Sequence, residues 1–89
     1  MRVVFSTAVV KDAKKIKDKN AISKITSVIQ QLKTVENLSE IPNIKKLKGS
    51  SIAYRIRIGD FRLGLYQYTK GEVELMRLLK RNDIYKFFP

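Results

Sequence analysis

The sequence predicts an α+β fold in which a helical hairpin covers one face of a small, mainly antiparallel sheet. The expected order is β-α-α-β-β-β with a short C-terminal helix or turn. Three observations predict it. Apolar residues recur at helical spacing between Val9 and Leu32. From Ile52 to Leu79 they alternate with polar residues, interrupted at Gly59–Asp60 and Lys70–Gly71. The chain has 89 residues, near the lower end of what buries a self-sufficient core, so residues 1–89 are expected to form one domain.

"RVVFST" is short, β-branched and apolar, as a first strand should be. Val9, Ala13 and Ile16 then fall at helical spacing among lysines, and "DKN" is expected to end that helix. Ile22, Ile25, Ile29 and Leu32 form the apolar stripe of a second helix from about Ala21 to Thr34. Antiparallel, the two helices need a sheet to cover their apolar faces. "VENLSEIPNIKKLKGSS", with Pro42 and Gly49 and little periodicity, is expected to be a long connection. Three strands follow, roughly Ile52–Ile58, Phe61–Tyr68 and Glu72–Leu79, and "NDIYKFFP" closes the chain.

Nineteen Lys and Arg against eight Asp and Glu give +11, which favours a polyanionic partner, nucleic acid above all, with anionic membrane as the rival. The apolar runs are far too short to span a bilayer and no charged-then-apolar leader is visible, so a cytoplasmic protein without a membrane partner is expected. There is no cysteine and no histidine, which excludes disulfides, thiolate or imidazole metal sites and the usual imidazole acid/base; no metal or other cofactor is expected. The kind of charge changes along the chain. Up to Gly49 there are ten lysines and one arginine, whereas afterwards come Arg55, Arg57, Arg62, Arg77 and Arg81 with three lysines. Lysine is a solvated point charge, while the planar fork of arginine matches phosphate oxygens in pairs.

If Gly59 and Asp60 are the whole turn, Arg57 pairs with Arg62 and Arg55 with Gly64, while Ile56, Ile58, Leu63 and Leu65 point under the helices. A two-residue Lys70–Gly71 turn then sets Arg77 beside Gly64. By this register Arg55, Arg57, Arg62 and Arg77 share one surface and Arg81 lies just past the strand end. A single strand arginine is ordinarily a solvated face, but like charges directly opposite are destabilising by several tenths of a kcal/mol. A converging set needs an anion. Gly64 is expected to leave room for a ligand to approach the backbone, and Tyr66 to offer a ring on which a base can stack.

"YRIRIGDFRLGLYQY" followed by "RLLKRNDIYKFFP" resembles the RelE/ParE superfamily of bacterial type II toxin–antitoxin toxins, and most of all its RelE-like messenger-RNA endoribonuclease branch. The element order and the linker ending in "KKLKG" fit as well, so the resemblance covers essentially the whole chain. "KRNDIY" fits that branch's "HRxxIY" pattern, with Lys80 where histidine is common.

The resemblance implies a RelE-like fold and a ribonuclease site of Arg55, Arg57, Arg62, Arg81 and Tyr85. It also implies cleavage of messenger in the decoding site of the 70S ribosome, and a cognate antitoxin whose amphipathic, acidic segment packs on the toxin. Metal-free RNA cleavage uses the ribose 2′-hydroxyl as nucleophile, so extra charge on phosphorus must be stabilised and protons moved. Arg62 and Arg81 are the candidates for charge stabilisation. Tyr85 and Lys80 are the candidates for proton transfer, and Arg55, Arg57, Arg77 and Tyr66 for holding the RNA. Two alternatives stay open: a ParE-like inhibitor of DNA gyrase, and a nucleic-acid-binding module without activity.

Overall fold

Ser6 ends the first strand and starts the first helix in the computed structural model, which describes all residues from Met1 to Pro89. Its hydroxyl accepts from the Val9 amide at 3.0 Å and donates to the Met76 carbonyl at 3.0 Å. One side chain thus caps a helix and joins it to the sheet. The elements are β1 (Arg2–Phe5), α1 (Thr7–Lys14), α2 (Lys19–Thr34), β2 (Ile44–Lys46), β3 (Ala53–Ile58), β4 (Phe61–Thr69), β5 (Glu72–Lys80) and α3 (Arg81–Phe87). A 3₁₀ turn at Leu38–Glu40 follows α2.

The five strands lie in the order β1-β5-β4-β3-β2, with β1 parallel to β5 and all other neighbours antiparallel. The α+β class and the helical hairpin are as expected, but two local readings are corrected. "DKN" does not end the first helix. Asp18 is the N-cap of α2, its carboxylate accepting from the Asn20 and Ala21 amides at 2.9 and 3.3 Å. The long connection also contains β2, a short edge strand whose only apolar residue is Ile44; the pairing with β3 supplies what periodicity over three residues does not.

The main core lies between the helical hairpin and one sheet face, where Ile56, Leu63, Leu65 and Leu75 are fully buried beneath Val9, Ile25 and Leu32. Alternation directed Ile56, Leu63 and Leu65 inward; Leu75, which the expected uniform register sets opposite Tyr66 on the other face, is turned inward by a register shift that pairs it with Leu65. The opposite face is divided. Over one half, α3 and the following residue bring Ile84 and Phe88 down onto Ala53, flanked by Tyr66, Met76 and Leu79. The other half, toward the β3–β4 turn, stays open. No helix is long and apolar enough to cross a membrane.

Candidate nucleic-acid site

The register that aligns the arginines is the expected one. Ile58 faces Phe61, Arg57 faces Arg62 and Arg55 faces Gly64, because Gly59 and Asp60 form the whole turn and Gly59 adopts φ 58°. A positive φ at the first turn position suits a two-residue hairpin, and glycine takes it without a steric penalty. The turn also anchors the site. The Arg62 guanidinium donates to the Gly59 and Phe61 carbonyls at 2.8 and 2.9 Å, and the Arg81 amide donates to the Asp60 carbonyl at 3.0 Å. Arg62 and the start of α3 are therefore held by one turn.

Arg57, Arg62 and Arg81 line a continuous open groove of two adjoining parts. The larger, about 770 Å³, has no hydrophobic lining residue and includes Lys80, Asp60 and Asn82. The smaller, about 420 Å³, adds Arg55, Lys45 and Tyr85. Asn43 lines both. Tyr85 reaches the groove from α3, its exposed ring lying 4.8 Å from the Arg55 guanidinium. That cation–π contact fixes the direction of Arg55 without neutralising it.

The electrostatics of the groove are unbalanced. The protein's two ion pairs, Arg2–Glu72 and Arg77–Asp12, both lie outside it, so Arg55, Arg57, Arg62 and Arg81 have no carboxylate partner. Partial burial, and next the charges of Arg81 and Arg57, push the Arg62 guanidinium below the usual arginine value; Tyr85 acts in the opposite sense and Arg55 adds to the lowering. Arginine stays protonated under such pressure, so the strain is relieved by an anion and not by loss of a proton. A phosphate, which accepts two parallel N–H bonds from one guanidinium, is the chemical match.

No family model matches the chain. Single proteins do. It is 32% identical over 90 residues to the toxin RelE3 of Methanocaldococcus jannaschii, covering all of both chains. The chain belongs to the RelE toxin family. Its fold is similar to that in the crystal structure of a RelB–RelE antitoxin–toxin complex from Methanococcus jannaschii, with a TM-score of 0.78 and 31% identity over 97% of this chain and 99% of that one. An archaeal RelE–RelB complex from Pyrococcus horikoshii OT3 shares the fold, with a TM-score of 0.72 and 23% identity over 90% of this chain and 93% of that one.

Within this RelE-family toxin, six of the eight singled-out side chains meet at the groove: Arg55, Arg57, Arg62, Arg81, Lys80 and Tyr85. Arg77 and Tyr66 do not. Arg77 pairs with Gly64 in the ladder as expected, but Met76 is inserted as a bulge between the Gly64 and Leu65 registers. Beyond the bulge the Arg77 guanidinium donates to Asp12 of α1 through Nε at 2.8 Å and Nη2 at 3.1 Å, with the Phe87 ring 5.2 Å away. It joins α1, β5 and α3, and its charge is paired with Asp12 outside the groove. Tyr66 packs on Phe88 and Tyr68, with ring centroids 5.2 and 5.7 Å apart. It belongs to the roofed half of the face.

The room expected above Gly64 is also taken. A Cβ built there meets the Phe88 ring at 2.5 to 2.8 Å, so glycine serves close packing of the C-terminal residues and not ligand approach. Conversely, Asn43, Lys45 and Asn82 line the groove without having been singled out in the sequence. "PN" before the unrecognised β2 carried one local signal, since asparagine tolerates the left-handed conformation that Asn43 adopts.

Proposed function

We propose that this toxin is a ribosome-dependent, metal-independent endoribonuclease that arrests translation by cutting messenger RNA. The observation that carries the reading is the groove of four arginines, none of them paired with a carboxylate. The ribose 2′-oxygen attacks phosphorus while the bond to the 5′-oxygen breaks, leaving a 2′,3′-cyclic phosphate and a 5′-hydroxyl. Arg55 and Arg57 hold the strand through its phosphates. Arg62, fixed by the turn carbonyls, and Arg81 stabilise charge as it grows on the phosphorane oxygens; such placed donors are typically worth about 10² to 10³ each in rate. Tyr85 and Lys80 carry the two proton transfers, one from the 2′-hydroxyl and one to the leaving oxygen, a contribution of roughly 10² to 10⁴ when well placed.

With neither histidine nor cysteine, much of the acceleration must come from holding the RNA in line, and the ribosome supplies that geometry. The +11 charge suits docking on ribosomal RNA in the cytoplasm. Family relatives have been solved with RelB, which supports a cognate antitoxin here as well, one with an acidic, amphipathic segment to meet the basic surface.

The test is inducible expression followed by primer-extension mapping of messenger ends, with and without translating ribosomes. Cleavage that requires translating ribosomes is expected. Arg62→Ala and Arg81→Ala should each abolish growth arrest in a protein that remains folded. Full toxicity in both variants would remove the site, and DNA damage with intact messenger would replace the nuclease by a gyrase inhibitor.

A further inference from the structure

Asn43 is the one non-glycine residue with positive φ, 63°, and it lies in the wall shared by both parts of the groove. A left-handed side-chain-bearing residue is uncommon, and an observed outlier of this kind is a pointer to function. Glycine would adopt this backbone more cheaply. What the asparagine adds is its amide. The Asn43 Oδ1 accepts from Arg57 Nη2 at 3.0 Å, and the Asn43 carbonyl accepts from the Arg57 amide at 3.1 Å. One residue therefore secures both ends of Arg57, a guanidinium otherwise repelled by Arg62 opposite.

The hydrogen bond also determines which way round the amide sits, because guanidinium is donor-only and must face the oxygen. The Asn43 Nδ2 makes no hydrogen bond to protein, leaving its donors for whatever occupies the groove. A free asparagine pairs with adenine by accepting from N6 and donating to N7. Here Arg57 takes one lone pair of that oxygen and sets its own cationic donors beside it, so an amino group approaching the pair meets donors. At the base edge that distinguishes keto from amino, Nδ2 donates to O6 of guanine or O4 of uracil, whereas the amino group that adenine or cytosine carries there meets it donor against donor.

We propose that Asn43 is a specificity-determining residue that selects a keto base, guanine or uracil, next to the phosphate held by Arg57. This rests on the ribonuclease reading above and deepens it. The structural consequence is a division of labour: the arginines bind any RNA, and the amide oriented by one of them favours particular sequences.

The experiment measures a ratio. Full-length toxin is titrated with 2′-O-methyl trinucleotides, which cannot be cut, differing at a single base, while the Asn43 side-chain amide signals are followed by NMR. In parallel, cleavage sites are mapped in growing cells for the wild type, Asn43→Asp and Asn43→Gly. Expected for the wild type is roughly tenfold tighter binding of the keto-base oligonucleotide, equivalent to about 1.4 kcal/mol. A matching bias in cleavage sites and a shift of the Asn43 amide signals should accompany it.

Asn43→Asp offers only acceptors and should lose or invert the ratio. Asn43→Gly, which suits the backbone, should bring it close to one. A uniform drop for all four bases with the ratio unchanged would make Asn43 a phosphate contact or a prop for Arg57 and overturn the assignment, as would failure of the wild type to bind any oligonucleotide. Failure of the ribonuclease reading is seen separately, in growth arrest that survives Arg62→Ala and Arg81→Ala.

Discussion

Replacing Asp12 by alanine should destabilise the protein by about 3 kcal/mol, although Asp12 is remote in sequence from every residue of the groove. Its side chain is 4% exposed and accepts three hydrogen bonds, from Arg77 Nε at 2.8 Å, Arg77 Nη2 at 3.1 Å and the Leu78 amide at 2.9 Å. The Leu78 amide lies on β5 beyond the reach of β1, whose pairing stops at Phe5–Leu75, so this carboxylate covers an otherwise open sheet edge. Alanine leaves a buried amide without an acceptor, costing about 1–3 kcal/mol, and an arginine without its counter-charge. Breaking buried pairs from one side costs about 3–5 kcal/mol. Arg77, with 27% of its side chain exposed, can partly rehydrate, which places the expected loss at the low end.

Urea unfolding of Asp12→Ala in an Arg62→Ala background, which removes the expected toxicity, measures this. With a slope on the order of 1 kcal/mol per molar urea for so small a domain, the midpoint should fall by about 2–3 M. Asp18→Ala removes an exposed helix cap and should cost only about 1 kcal/mol. Equal losses in the two variants would refute the reasoning.

The pH dependence supplies a second check. Burial works to raise the Asp12 pKa but is outweighed by the bonds from Arg77 and Leu78 and by the charges of Arg77 and Lys15, so the carboxyl titrates below its ordinary range. A depressed pKa gives stability that is complete above the unfolded value, near 3.9, and disappears as pH falls through the folded one. Wild type and Asp12→Ala should therefore differ in full at neutral pH and converge only below about pH 4.

Two further outcomes are expected. Gly64→Ala should cost about 1–3 kcal/mol by driving its methyl into the Phe88 ring, and should cost much less when Phe88 is already alanine; an equal penalty in both backgrounds, read by thermal unfolding, would separate Gly64 from Phe88. RNA affinity should fall with salt at a log–log slope of about −3, since four unpaired arginines meeting a single strand release about 0.7 counterion each, and each Arg→Gln at Arg55, Arg57 or Arg81 should flatten that slope by about 0.7; an unchanged slope would place the RNA elsewhere.

The hairpin and its charges were legible because they are local. Period-two alternation and a two-residue turn with glycine at a positive φ fix which residues oppose which, so Arg57 facing Arg62 and Ile56 facing Leu63 follow from spacing alone. Helical spacing likewise located Ile25, Ile29 and Leu32 on the buried stripe of α2, although Ile22, expected with them, is exposed; "NDIYKFFP", expected as a terminal helix or turn, lies largely in the helix that carries Arg81 and Tyr85.

What spacing cannot show is how a side chain is used once distant segments arrive. Arg77 had the same local signature as Arg55, and only the β-bulge at Met76 with the carboxylate of Asp12, 65 residues away in sequence, turned it from ligand-binding charge into structural clamp. Gly64 looked like room for a ligand until Phe88 filled it. Asn43 looked like loop until β2 paired with β3 and set its amide against Arg57. The sequence by itself determined the β3–β4 register and the excess of arginine, since both depend on neighbours along the chain. Which arginines remain free for phosphate was decided by tertiary structure, because neutralising a guanidinium takes a partner brought by the fold.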